Sequence, residues 1–391
     1  MREVVIVEAV RSPLGKRGGG LSAVHATDLL GHAQRQVVER SGIDPREIGQ
    51  VVGGCVGQVG MQTMNVTRNA WLTAGLPLEV PASTVDAQCG SSQQATNLAY
   101  ALVAGGVVDV ALGCGVEVMS AVRMGATIPK EPFVGKPVNR NYWEHFELTS
   151  QFEGAERIAK QWGITRADTD AFGVMSQQRA ARAWAEGRFD SQVAPLDAPD
   201  WGEDGKPAKT SHRVERDEGL RETSLEALGG LKTNLPDGVH TAGTSSQISD
   251  GAGAVLLMTR EKADALGLAP RAVVAGSCLM GSDPVLMLTG PIPATQKLLG
   301  GAGLQMRDID VVEINEAFAS VVLAWERELK PDMEKVNPNG GAVALGHPLG
   351  GTGSVLITKA LHELERSGGE HALVTMCCGG GLGTGTLLRR V

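Results

Sequence analysis

The segment Val85-Asp-Ala-Gln-Cys-Gly-Ser-Ser-Gln-Gln-Ala95 leads from an extended stretch into a helix of small residues, with Cys89 at the junction. A second glycine-flanked turn, Gly346-His-Pro-Leu-Gly350, opens another helix late in the chain. Each helix is followed by an apolar strand that enters a glycine turn, at residues 111–117 and 374–381. Because the order is the same in both halves, the sequence indicates duplication of one unit.

Strands and helices alternate around these segments, which is typical of an α/β protein with covered sheets. β-branched apolar runs predict strands at 4–7, 51–56, 107–113, 311–314 and 372–376. Helical patterns occur between them, at 28–40, 91–103, 155–161, 167–186 and 354–366. A second repeat supports the duplication, because the acidic turn and buried strand at 44–54 resemble those at 306–316.

Composition excludes several classes of protein. The 391 residues are 42% hydrophobic and 20% charged, which indicates a packed globular chain. The formal net charge of −8 argues against broad binding of nucleic acid, which requires a basic face. No apolar run approaches the roughly 18 residues of a membrane helix, and the N-terminus lacks the core of a signal peptide. We therefore expect a cytoplasmic protein that binds neither nucleic acid nor membranes.

The region between the two halves differs from them in composition. Residues 121–243 hold four of the six tryptophans and a polar run at 197–222. Long polar segments of this kind form lids and loop domains that carry ligand contacts. We therefore expect an N-terminal half at 1–120 (completed by 244–268), an inserted loop domain at 121–243, and a C-terminal half at 269–391.

Two of the six cysteines have surroundings that suggest chemistry. Cys89 lies at a helix start, where free N–H groups stabilise a thiolate, lower the thiol pKa and hold oxyanions. Cys377 follows a buried strand and precedes the polyglycine turn at 379–381. Packing in the core is the alternative for both thiols. The same packing role is expected for Cys55, Cys114 and Cys278.

Polar residues in unusual places complete the set of candidates. His347 lies in a run with six glycines between Gly340 and Gly353, and it is a candidate base for a thiol. Asn315 and Glu316 directly follow a buried strand, where ligand crevices form in α/β sheets. The alternatives are a hydrogen-bonded structural histidine and capping of the next helix.

Taken together, these motifs resemble the thiolase family. The resemblance is carried by Asp86-Ala-Gln-Cys-Gly-Ser-Ser92, Asn315-Glu-Ala-Phe318, Asn337-Pro-Asn-Gly-Gly-Ala-Val-Ala-Leu-Gly-His-Pro348 and Cys377-Cys-Gly-Gly-Gly381. Segments 8–16 and 241–251 resemble two further signatures of the family, so the likeness spans essentially the whole chain. It implies the thiolase fold, with two βαβαβαββ halves stacked in five layers, α-β-α-β-α.

The resemblance also implies a role for each candidate residue. Cys89 would be the acylated nucleophile, His347 the base that activates it, and Cys377 the second acid/base. Asn315 would hold a water that forms an oxyanion hole with His347, while the N–H groups of Cys89 and Gly379 form another. CoA would be a co-substrate, with no permanently bound cofactor and no metal, and the chain would form a homo-oligomer, either a dimer or a tetramer.

Four further residues are expected at the substrate and CoA sites by the same resemblance: Arg221, Ser246, Phe318 and Gln151. CoA is anionic and the chain is acidic, so local cations must attract it. The inserted region supplies Arg213, Arg216, Arg221 and Lys232.

The acyl group is expected to be larger than acetoacetyl. Gln151-Phe-Glu153 stands where short-chain acetoacetyl-CoA thiolases have His-Met-Gly. With the segment at 219–223, it most resembles the actinobacterial thiolases that act on bulky acyl-CoAs, including steroid side chains.

The expected activity is cleavage of a 3-ketoacyl-CoA by CoA through a Cys89 acyl-enzyme, reversible by Claisen condensation. One alternative is a biosynthetic acetyl-CoA acetyltransferase that forms acetoacetyl-CoA, which the motifs do not separate from the degradative enzyme. A condensing enzyme of the ketoacyl synthase type would place His or Asn at Cys377. A non-catalytic thiolase-like carrier of acyl-CoA or lipid would lack part of the catalytic set.

Overall fold

The computed structural model of the protein describes residues 2–128 and 134–391. Its strands are β1 (Val4–Arg11), β2 (Gly15–Lys16), β3 (Gln50–Gly54), β4 (Ala82–Val85), β5 (Val110–Val118), β6 (Leu196–Trp201), β7 (Pro207–Val214), β8 (Ser249–Thr259), β9 (Ala272–Gly281), β10 (Val311–Ile314), β11 (His371–Cys378) and β12 (Leu382–Arg390). Its α-helices are α1 (Ala26–Ser41), α2 (Val66–Thr73), α3 (Ser91–Ala104), α4 (Gln151–Gln161), α5 (Arg166–Ala185), α6 (Leu225–Gly229), α7 (Arg260–Leu266), α8 (Pro291–Ala302), α9 (Ala319–Leu329) and α10 (Thr352–Ser367).

The two halves of the chain repeat one sheet topology. The first half has the strand order β4-β3-β5-β8-β1, and the second has β10-β11-β12-β9. In each half the strands at the outer end of the sheet pair in parallel, as β4-β3-β5 and β10-β11, and the remaining strands pair antiparallel. Val336 bridges in parallel to Val312, so it occupies the place of β4 in the second half. The duplication predicted from sequence is present, with one strand reduced to a single bridge.

The halves stack into five layers. Helices α3 and α10 contact strands of both half-sheets and each other, so they form the middle layer. Helices α1 and α2 cover the outer face of the first half. Helices α8 and α9 cover the outer face of the second, where Trp325 of α9 shares a buried cluster with Leu373 of β11. The predicted α-β-α-β-α arrangement is confirmed.

Glycines let the two central helices approach each other closely. A Cβ on Gly353 in α10 would lie 2.1 Å from the backbone nitrogen of Gln93 in α3. A Cβ on Gly54, at the end of β3, would lie 2.2 Å from the nitrogen of Ser92. The first turns of α3 and α10, which follow Cys89 and His347, are therefore held against each other at the centre of the molecule.

Between β5 and β8 the chain forms α4, α5, the β6–β7 hairpin and α6. The segment after the hairpin is anchored by Asp217, which forms a bidentate ion pair with Arg11 at 2.7 and 3.0 Å. Both side chains are completely buried, and the Arg11 guanidinium lies 5.0 Å from the centroid of the Phe189 ring. Arg221, four residues after Asp217, is thereby held near β1. The domain boundaries proposed from composition stay a prediction.

Candidate active site

A strained turn positions Cys89 between β4 and α3. Gln88, the residue before it, has a φ of 52°, which side chains other than glycine rarely adopt. The Gln88 N–H donates to Asp86 Oδ1 at 2.6 Å, and the Ser91 hydroxyl donates to the Gln88 carbonyl at 2.5 Å. These bonds hold a conformation of the kind found at functional sites, and they place the thiol at the start of α3.

Burial controls the acidity of Cys89. It raises the thiol pKa to about 11, although the N–H groups of Gly379 and of Cys89 itself hydrogen-bond to the sulfur and lower it. The expectation that the helix start lowers this pKa is therefore wrong, because loss of water around the sulfur outweighs the N–H groups. The residue rests as a thiol and needs a base. The two N–H groups expected to form an oxyanion hole do converge here.

The ring of His347 is uncharged and can accept a proton. Burial lowers its pKa to about 4, so the ring is neutral. Its Nδ1 lies 2.6 Å from Thr352 Oγ1, whose hydroxyl donates to the Pro348 carbonyl at 2.9 Å. We infer from this chain of bonds that Nδ1 carries the proton, which leaves a lone pair on Nε2. The amide nitrogen of Asn315 lies 3.4 Å from Nε2.

Gly346 fixes the backbone of His347. It has a φ of 120°, outside the range of other residues. A Cβ at this position would lie 2.2 Å from Ser249 Oγ. That hydroxyl oxygen instead accepts the His347 N–H at 3.1 Å. The glycine thus permits the contact that sets the position of the base.

Asn315 and Cys377 are completely buried and lie behind the wall of the site. Asn315 Oδ1 has no hydrogen-bond partner among the described residues. An unpaired buried acceptor beside His347 fits the expected water site. Burial raises the pKa of Cys377 well above its ordinary value, and negative charge on Cys89 would raise it further. Cys377 is therefore a protonated thiol close to Cys89, and such a thiol can donate a proton.

Strand geometry separates Cys377 from its neighbour Cys378, because successive residues of a strand point to opposite faces. Cys377 packs in one cluster with Leu288 and Phe318, which line the cavity described below. Cys378 points at the start of α3, where a Cβ on Gly90 would lie 2.5 Å from its sulfur. Cys378 therefore packs beneath the helix, and Cys377 is the thiol on the side of the outer cavity.

A cavity of about 480 Å³ opens beside Cys89 and His347, and we call it the outer cavity. The residues expected to contact substrate or CoA all line it: Arg221, Ser246, Phe318 and Gln151. Phe318 is held by edge contacts to the rings of Phe152 and His240, each with centroids 5.5 Å apart. The structure thus brings the four together at one site.

Two cations that the sequence pattern does not single out, Lys16 and Arg17, also line the outer cavity. Both are exposed; Lys16 ends the short strand β2 and Arg17 lies in the turn after it. Of the cations expected from the inserted region, Arg213 lines a different cavity and Arg216 packs over Trp184. Lys16 and Arg17 could have been identified from the sequence, because they form an adjacent pair of cations beside a glycine-rich turn in an acidic chain.

A second cavity of about 520 Å³, which we call the inner cavity, adjoins the outer one. Gly379 lines it. The residues shared by the two cavities are Cys89, Met119, Met124, Gln151 and Leu349. The thiol therefore lies where the two spaces meet.

Two buried carboxylates organise the loops around the site. Glu117 accepts hydrogen bonds of 2.6 to 3.0 Å from Val56, Gly57, Gln62 and Gly350. Glu316 accepts bonds of 2.6 to 3.1 Å from Ser176, Asn337 and Val343. Glu316 is thus a structural residue that fixes the loop before His347.

In the part of the chain that the structure describes, no three His, Cys, Asp or Glu side chains are grouped to hold a metal ion. Within the same residues, no helix is long and apolar enough to cross a membrane.

Comparison with known proteins agrees with this geometry. Residues 4–261 match the family described as thiolase, N-terminal domain, and residues 268–390 match thiolase, C-terminal domain. The chain is 44% identical to a steroid 3-ketoacyl-CoA thiolase of Mycobacterium tuberculosis, over 100% of this chain and 95% of the relative. It is 42% identical to a beta-ketoadipyl-CoA thiolase of Pseudomonas aeruginosa, over 100% of both chains.

A solved structure, the acetyl-CoA acetyltransferase of Bacillus anthracis, matches with a TM-score of 0.90 and 35% identity. The match covers 100% of this chain and 99% of that one. Family, sequence and fold thus agree along the full length, and the chain belongs to the thiolase family.

Proposed function

We propose that the protein is a degradative 3-ketoacyl-CoA thiolase, which uses CoA to cleave its substrate into acetyl-CoA or propionyl-CoA and a shortened acyl-CoA. The observation that carries this proposal is the meeting of a protonated thiol, a neutral imidazole and two N–H groups where two cavities join. The relatives named as 3-ketoacyl-CoA and beta-ketoadipyl-CoA thiolases support it.

The first half-reaction begins with proton transfer from Cys89 to Nε2 of His347 as the sulfur attacks the 3-keto carbon. The resulting oxyanion is stabilised by the N–H groups of Cys89 and Gly379, each such donor contributing roughly 3–4 kcal/mol. Cleavage of the carbon–carbon bond leaves an acyl group on Cys89 and an enolate. Protonated His347 and the Asn315 site stabilise the enolate oxygen, and the Cys377 thiol protonates the carbon.

The second half-reaction restores the enzyme. The thiol of CoA gives its proton to the Cys377 thiolate as it attacks the acyl group on Cys89. The departing Cys89 sulfur recovers its proton from His347. Every proton is thereby returned, and no permanently bound cofactor or metal enters the cycle.

The two cavities would bind different parts of the substrate. CoA would occupy the outer cavity, where Arg221, Lys16 and Arg17 supply positive charge and Ser246 lies nearer the thiol end. The acyl chain would occupy the inner cavity, whose volume of about 520 Å³ lies in the range of sites that hold drug-sized ligands. That volume exceeds the need of an acetyl group, which disfavours the acetoacetyl-CoA-forming alternative. The intact thiols and imidazole disfavour the carrier alternative.

We propose further that the protein is a cytoplasmic homo-oligomer, a dimer or a tetramer. Strand β4 supports an oligomer, because it ends the sheet of the described residues with its outer edge unpaired, and such edges pair readily with another chain. Size-exclusion chromatography with light scattering would measure the oligomeric state, and a monomer at micromolar concentration would contradict the proposal.

The activity is tested by mixing the protein with free CoA and 3-ketoacyl-CoAs of increasing length, and following loss of enolate absorbance. Cleavage of substrates longer than acetoacetyl-CoA is expected, and Cys89→Ser should abolish it while leaving the fold intact. Cleavage of acetoacetyl-CoA alone would favour the biosynthetic alternative. Binding of acyl-CoA with no cleavage of any substrate would favour the carrier.

A further inference from the structure

The inner cavity contains one arginine among the residues that line it, Arg123. Its side chain is exposed to the cavity and solvent. Within residues 2–128 and 134–391, its guanidinium forms no ion pair within 4.0 Å and no hydrogen bond. The catalytic sequence proposed above does not use it. A guanidinium in this position is available to a ligand.

The rest of the inner cavity suits a chain with a polar end. Apolar side chains form much of the wall: Met119, Val122, Met124, Ile128 and Leu349. Three amides lie among them: Gln58, Gln88 and Gln151. Binding sites with mainly apolar walls and a few placed polar groups hold ligands that combine a hydrocarbon body with a specific polar function.

The two acids of the inner cavity do not neutralise Arg123. Glu117 is already engaged by four internal donors. Asp86 accepts the Gln88 N–H at 2.6 Å, within the turn before Cys89. Neither carboxylate is within ion-pair distance of Arg123. Among the described residues that line this cavity, the charge left to be matched is therefore positive, at Arg123.

We infer that the acyl chain of the substrate ends in a carboxylate, which Arg123 binds in the inner cavity. The inference rests on the proposed function and adds a substrate class to it. The planar guanidinium binds a carboxylate through two parallel hydrogen bonds, a geometry that an alkyl end cannot use. Cys89 holds the 3-keto carbon at the junction of the cavities, so the far end of the chain lies in the inner cavity with Arg123.

The test compares two six-carbon 3-ketoacyl-CoAs that differ only at the last carbon, a carboxylate in one and a methyl group in the other. The wild-type enzyme should show the higher kcat/KM with the carboxylate-ended substrate. Arg123→Gln should lower the ratio of the two kcat/KM values by up to about fivefold, mainly through KM, as expected for loss of an ion pair made by an exposed side chain. Arg123→Lys keeps the positive charge but cannot form the two parallel hydrogen bonds of a guanidinium. Its ratio of kcat/KM values should therefore lie between those of Arg123→Gln and the wild type.

The matched control is Arg46→Gln, which removes one positive charge from an exposed side chain outside both cavities. It should leave the ratio unchanged. An equal loss on both substrates in Arg123→Gln would assign Arg123 a structural role and overturn the inference, as would a wild-type preference for the methyl-ended chain. In both cases the proposed thiolase activity would stand. Absence of cleavage of either substrate, or of any other 3-ketoacyl-CoA, would instead reject the proposed function.

Discussion

Replacing His347 with alanine should abolish turnover while leaving the alkylation rate of Cys89 nearly unchanged. The reason is that both groups rest uncharged, with a thiol pKa of about 11 and an imidazole pKa of about 4. At pH 8, roughly one Cys89 in a thousand is a thiolate, because the fraction falls tenfold for each pH unit below the pKa. Moving the proton from Cys89 to His347 is uphill, because burial raises the thiol pKa and lowers the imidazole pKa. A thiolate–imidazolium pair is therefore a negligible part of the resting enzyme.

The assay measures two rates on the same variants. Iodoacetamide alkylation of Cys89, followed by mass spectrometry of its peptide between pH 6.5 and pH 10, should accelerate about tenfold per pH unit in the wild type. His347→Ala should follow the same line within about threefold, whereas its thiolysis rate should fall roughly 10²- to 10⁴-fold, the usual contribution of a general base. Acetyl-CoA should protect Cys89, and Cys89→Ser serves as the unlabelled control.

A different result would refute this reasoning. A plateau of alkylation below pH 8 that disappears in His347→Ala would show that His347 keeps Cys89 ionised at rest. Preferential labelling of Cys114 or Cys278 would count against Cys89 as the accessible thiol, since Cys89 lines both cavities and the other two line neither.

Other predictions concern charge and stability. Reversing both Lys16 and Arg17 to glutamate should raise KM for CoA about tenfold at low salt, and steady-state assays in 0.5 M salt should show a smaller effect because exposed charges are screened. Lys359→Met should lower the free energy of unfolding by about 3–5 kcal/mol, because it leaves the buried partner Glu313, 2.7 Å from Lys359 Nζ, without a counter-charge. Adding Glu313→Leu should recover most of this loss in urea titrations. His347, whose pKa falls from 6.5 to about 4 on folding, contributes stability above pH 6.5 that is lost as the pH falls towards 4, at most about 3 kcal/mol. Replacing His347 by Gln should flatten that decline in unfolding measured at pH 7.5 and 5.

The fold was predictable where a strand is rich in β-branched residues, as in β1, β3, β10 and β11. It was not predictable at β8, which begins Ser249-Asp-Gly-Ala-Gly and has the composition of a loop. That segment is a strand because it is completely buried between β1 and β5. Pairing and burial by neighbours outweigh local propensity in sheets. Helix α4 begins at Gln151, before the predicted start at 155, because Ser150 and Glu153 form a capping box.

In the candidate site, too, some features could be predicted from the sequence and others could not. The motifs around Cys89, His347 and Cys377 point to thiol chemistry because cysteine and histidine have few other reasons to lie in glycine turns. The acidity of Cys89 could not be predicted from its place at a helix start, because burial changes the thiol pKa in the opposite direction. Which ring nitrogen of His347 is free depends on the hydroxyl of Thr352, which only the folded chain brings to Nδ1.

The sequence by itself determined the class of chemistry and the duplication, and it supplied the candidate catalytic residues, since these depend on residue types and their local spacing. The tertiary structure decided which of two adjacent cysteines packs with the residues of the outer cavity, which cations line that cavity, and that Arg123 and Cys89 line one inner cavity. These are distances between segments far apart in the chain. They are set by the stacking of two half-sheets around α3 and α10, and by how far burial removes water from each charged group.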